Sequence, residues 1–68
     1  MLKELDLVKL KKPDPKVGVS VSDIGTIVNV SEYQGKRYYT VEFIEDKIYT
    51  KMEALHKDYV EEELIKVN

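Results

Sequence analysis

The sequence predicts a small all-β domain of five strands with one short helical turn before the last, and three observations carry that prediction. An acidic turn residue and a glycine, Asp23-Ile24-Gly25, lead into the β-branched run Thr26-Ile27-Val28-Asn29-Val30. Val41-Glu42-Phe43-Ile44 repeats a period-two pattern further on, as a neighbouring strand of a curved antiparallel sheet does. Leu64-Ile65-Lys66-Val67 ends the chain with β-branched residues suited to covering an edge that would otherwise stay open.

The first strand is expected at about residues 6–11, where Leu5, Leu7, Val8 and Leu10 interleave with Asp6 and Lys9. Pro13 and Pro15 stop it, because each lacks an N–H for a ladder and pushes its predecessor to extended geometry. A long exposed loop follows through Gly18, with Val17 to Val21 as an extended piece tucking valines against the sheet. Strand two is placed at about 25–31, and Gln34-Gly35 supplies the glycine of a hairpin turn. Strand three covers about 37–44, with Tyr39, Val41 and Phe43 on the core face and Tyr38, Thr40 and Glu42 on the other. Glu45-Asp46-Lys47 reads as the next turn.

Two readings compete beyond it. Met52, Leu55, Tyr59, Val60 and Leu64 recur at helical spacing, and Thr50 with Glu53 has the form of a capping box, which gives an α+β fold with a helix over about 51–64. Alternatively Ile48-Tyr49-Thr50 starts a strand toward Leu55, a single helical turn forms around Asp58 to Glu62, and 64–67 returns as the closing strand. The second is preferred, since a barrel of about 60 residues needs its last strand over the open edge.

A 68-residue chain is one domain, and folding at this length removes only about 60% of the unfolded surface from water. It holds no cysteine, so neither a disulfide nor a thiolate metal site reinforces the core, which suits a reducing cytoplasm. No run approaches the roughly 20 apolar residues of a membrane helix. The net charge of −2 divides unevenly: residues 1–16 hold five Lys against three acids, residues 53–68 two Lys against five acids. With a pI near 5.3 the chain lacks the basic stripe of a nucleic-acid binder, which disfavours nucleic acid as a partner.

The order of these elements resembles the SH3-like small β-barrels over nearly the whole chain. The residues carrying the likeness are Leu5, Asp6, Val8 and Leu10, then Gly25-Thr26-Ile27-Val28, Val41-Glu42-Phe43 and Glu63-Leu64-Ile65-Lys66-Val67. Within that group it looks most like a bacterial family of small stand-alone domains and, more distantly, like the photosystem I accessory subunit of similar size and the ribosome- and polymerase-associated KOW modules. The resemblance implies a five-stranded barrel that docks on a larger assembly. Loops of KOW modules are generally basic, whereas Glu45-Asp46 and Glu61-Glu62-Glu63 are acidic here, and the segment 52–57 is longer than in the photosystem-like relatives.

No catalytic constellation assembles from the sequence. His56 is the one histidine, and metal or acid–base chemistry needs two or three converging groups, so a partly exposed rim histidine is the plainer reading. Glu61-Glu62-Glu63 with Asp58 lacks the spacing of a calcium loop. A solvated acidic face, or a docking patch for a basic partner, is expected instead. Five tyrosines against one Phe and no Trp suit both a core that reaches the surface and a binding face. Tyr38 and Tyr49 are placed on the outer face, as the centre of a patch or as a cross-strand pair. Lys36, Arg37 and Lys47 at neighbouring turns would serve a nucleic-acid barrel, or simply solubility.

These readings converge on a non-enzymatic protein-binding module without cofactor or metal. It is expected to be an accessory subunit or a small inhibitor or immunity-type protein, bacterial or phage-encoded, contacting its partner through Arg37, Tyr38, Tyr49, Glu61 and Glu62. A KOW-like RNA- or ribosome-associated module is the alternative, and self-association through an open barrel edge is left open.

Overall fold

A computed structural model describes residues 1–43 and 57–68. The fold is all-β, with β1 at Leu7–Leu10, β2 at Gly25–Tyr33, β3 at Lys36–Phe43, β4 at Lys57–Tyr59 and β5 at Leu64–Lys66. All pairings are antiparallel in one sheet of order β4-β3-β2-β1-β5. A 3₁₀ turn, Glu61–Glu63, precedes β5. The Glu63 carboxylate accepts the Val60 N–H at 3.0 Å and the Leu64 N–H donates back to the Glu61 carbonyl, which satisfies the turn's ends.

Every strand contributes to one core. Val8 and Leu10 come from β1, Ile27 from β2, Tyr39, Val41 and Phe43 from β3, Tyr59 from β4 and Leu64 from β5, joined by Leu2 and Val19. Because both end strands reach the same cluster, the sheet curls around it. No ladder joins β4 to β5 among the described residues, so the curled sheet stays open where a closed barrel was expected. The 3₁₀ turn carries the chain across that gap.

Register depends on two local devices. Gln34 and Gly35 both have positive φ, 52° and 78°, as a two-residue type I′ turn requires, and Tyr33 pairs with Lys36 to close the hairpin. In β2 the ladder slips between Ile27 and Asn29, leaving Val28 as an extra residue. That bulge re-aims the strand, so Ile27 opposes Val41 and Val30 opposes Tyr39, and Val30 also packs against the core. The apolar run 27–28–30, awkward for strict alternation, fits the sheet because of it.

Beside the bulge, Gly25 lies opposite Phe43. A Cβ there would stand 2.5 Å from Val41 Cγ1 and 2.9 Å from the Phe43 ring, so the core occupies the space a side chain would need. At the N-terminal end Asp6 is buried, and its carboxylate accepts the Lys3 N–H at 3.0 Å with Lys66 Nζ 3.8 Å away.

The three strands expected at about 6–11, 25–31 and 37–44 are found at β1, β2 and β3, with ends shifted by one or two residues and residue 44 outside the described ones. The helix considered for about 51–64 is corrected over its described part, since Lys57–Tyr59 is strand and only Glu61–Glu63 turns helically. Asp58, expected in that turn, is held in β4 opposite Thr40, whose hydroxyl donates to its carboxylate. The turn at 45–47, the strand start at 48–50, the cap at Thr50 and Glu53, and Met52, Leu55 and His56 lie outside the described residues. No helix among the described residues is long and apolar enough to cross a membrane.

Candidate functional site

The loop after β1 is organised by Asp14. Its N–H donates to the Val19 carbonyl at 2.8 Å and its carbonyl accepts the Val19 N–H at 3.1 Å, an isolated bridge that seats Val19 in the core. Gly18 turns the chain back with φ 74°. Further on, the Asp23 carboxylate accepts the Ser20 N–H at 2.9 Å, closing a second turn. The extended piece expected over 17–21 is this bridge and turn.

The Asp14 side chain reaches across to β4. Its Oδ2 accepts hydrogen bonds from Lys57 Nζ and from the Tyr59 hydroxyl, each at 2.9 Å. Lys57 and Tyr59 are alternate residues of one strand and so project to one side, with the ammonium 5.4 Å from the tyrosine ring centroid. The Tyr59 ring in turn meets Phe43 edge-on, 6.3 Å between centroids at 89°, which anchors the latch in the core. Lys57 holds the Asp14 carboxyl below the usual carboxylate range, helped by Tyr59 and opposed by partial burial. Burial, then the Asp14 charge, push the Tyr59 phenol well above its ordinary value.

Around this latch lies a cleft of about 430 Å³ between the loop and the β4–3₁₀ segment. Leu10, Pro13 and Tyr59 give it apolar surface; Lys12 and Lys16 line it from the loop, and Asp58 and Glu63 from the opposite side. At neutral pH Asp14 is a carboxylate with two donors on one oxygen, and Tyr59 is a protonated donor. Such groups brace a surface and hold a ligand by hydrogen bonds and charge. Among the described residues no three His, Asp or Glu side chains converge as a metal site.

The sequence-predicted contact residues distribute differently. Arg37 lies on the core-side face of β3 near the hairpin tip, where Nη2 donates to Glu32 at 3.3 Å and Nη1 to the Met1 sulfur at 2.8 Å. The Tyr39 hydroxyl, foremost, and Glu32 keep its guanidinium firmly protonated. Tyr39 also donates to Glu61 at 3.3 Å, so one phenol bears on both Arg37 and Glu61. Glu61 and Glu62 are exposed. Tyr38 is half-buried on the opposite face, across from Ser31, and so does not share a surface with Arg37. Tyr49 lies outside the described residues. The latch was not foreseen: Asp14 and Tyr59 are 45 positions apart, and only the proline pair flanking Asp14 singles that residue out.

Comparison of the chain with protein-family models, with curated proteins and with solved structures finds no match in any of the three.

Proposed function

We propose that this chain is a non-enzymatic protein-binding module, an accessory subunit or small inhibitor of the immunity type. It holds an extended segment of a larger protein in the cleft between the β1–β2 loop and β4. The observation that carries the reading is the Asp14 latch, which braces a long loop against the sheet and keeps the cleft in shape before a ligand arrives. Leu10, Pro13 and Tyr59 beside charged side chains give the cleft the mixed apolar and polar lining that protein contacts use. Lysines on one bank and carboxylates on the other suit a segment bearing both signs of charge, and Glu61 and Glu62 extend the acidic bank. A docking module of this kind also fits the likeness to SH3-like barrels and a cytoplasmic setting.

The RNA-binding alternative is less well supported, because Arg37 is engaged by Glu32 and the cleft lysines face Asp58 and Glu63, which repel phosphates. The test is capture from native lysate, with and without nuclease, using the wild-type chain, the Lys12→Glu/Lys16→Glu pair and a Tyr33→Ser control at the exposed hairpin tip. A stoichiometric protein that survives nuclease, falls at least tenfold with the lysine pair and persists with the control is the expected result. Recovery of RNA or ribosomal proteins that vanishes with nuclease overturns the reading.

A further inference from the structure

β5 ends the sheet among the described residues, and its outer side is apolar. Ile65 is 47% and Val67 39% exposed, with Leu7 of β1 next to Val67, whose N–H donates to the Leu7 carbonyl at 2.8 Å. The bonds of this segment to β1 use residues 63, 65 and 67: Lys11 donates to the Glu63 carbonyl at 3.0 Å, and Ile65 pairs with Lys9. In an antiparallel ladder the backbone groups of the intervening residues then point the other way. Leu64 N–H is already bonded to the Glu61 carbonyl, which leaves the Leu64 carbonyl and both the N–H and the carbonyl of Lys66 facing an edge that no strand among the described residues covers.

We propose that this edge pairs with a second copy of the chain, β5 against β5, antiparallel about a twofold axis at Ile65. In that register each Lys66 N–H donates to the Leu64 carbonyl of the other copy, so two symmetric bonds form, the Lys66 carbonyls stay with water, and the Leu64 N–H keeps its internal partner. Ile65 meets its twin as a non-hydrogen-bonded pair with Cα atoms about 4.5 Å apart, Glu63 lies opposite Val67, and no like charges face each other. The register centred on Lys66 sets two lysines directly opposite and is disfavoured. What singles out a second copy is this self-match: donor, acceptor and apolar side chain each recur in place under the twofold. A standard interface hides about 800 Å² on each partner. A three-residue strand with three partly exposed apolar side chains covers much less, so the dimer is weak.

The surface shares only Glu63 with the cleft, and Ile65, at the twofold axis, does not line it, so the two proposals fail independently. Sedimentation equilibrium from 10 μM to 1 mM should show a mass rising from monomer toward dimer, and Ile65→Lys should weaken association at least tenfold with the thermal midpoint of the dilute protein unchanged. The chain has no cysteine, so Ile65→Cys tests the register: under mild oxidation it should form a disulfide dimer at least tenfold faster than Val28→Cys, which is exposed on β2 away from the axis. A flat monomer mass, or equal cross-linking at both sites, overturns the proposal.

Discussion

Replacing Gly25 by Ala probes the tightest contact in the core. The new methyl would lie 2.5 Å from Val41 Cγ1 and 2.9 Å from two atoms of the Phe43 ring, and both neighbours are essentially without solvent exposure, so neither has room to swing aside. Overpacking of this kind costs about 1–3 kcal/mol, against a gain of about 0.4–1 kcal/mol from restricting the unfolded chain. The net loss is therefore about 1–2 kcal/mol, which for a domain of this size lowers Tm by roughly 5–15 °C. Calorimetry and urea unfolding followed by far-UV circular dichroism both read it. Repeating the substitution in a Val41→Ala background removes the nearest atom, and there the cost of Gly25→Ala should fall by at least half. Equal or greater stability for Gly25→Ala alone, or an undiminished cost in the second background, would refute the steric argument.

Three further outcomes are expected. Gln34→Asn places the residue preferred by a type I′ turn where φ is already 52°, and should raise stability by about 0.5 kcal/mol in urea unfolding. Asp14→Asn should cost about 1 kcal/mol at neutral pH by weakening the bond to Lys57. Because the folded-state pKa of Asp14 is depressed, that difference from wild type should hold above about pH 4, the ordinary Asp value, and close as pH falls below it. Tyr59, with its pKa raised on folding, contributes stability that is complete below about pH 10 and lost at higher pH. Subtracting the Tyr59→Phe absorbance titration from that of wild type should therefore show one phenol that ionises only together with alkaline unfolding.

Much of the architecture is legible in the chain because a strand's face is written with period two. Tyr39, Val41 and Phe43 form the buried side of β3 as their alternation predicts, the prolines end β1, and Gln34-Gly35 makes the hairpin. The closing strand at Leu64–Lys66 also follows from Ile65 and the need to cover an edge, whereas β4 at Lys57–Tyr59 does not, because Tyr59, Val60 and Leu64 keep helical spacing. The candidate site was far less visible. Arg37 and Tyr38 are neighbours in sequence, yet the pleat sends them to opposite faces, and Arg37 is spent on Glu32.

The sequence by itself determined the strands β1, β2 and β3, the hairpin turn between the last two and which side of β3 is core, since each depends on residues within a few positions of one another, whereas β4 at Lys57–Tyr59 was decided by its pairing with β3. Only the tertiary structure decided the bulge at Val28, the exclusion of any side chain at Gly25 and the meeting of Asp14 with Lys57 and Tyr59. Those depend on which strands lie side by side and how the sheet curls, a choice made by burying one shared core, and a hydrogen bond spanning 45 residues leaves no periodic trace in the chain.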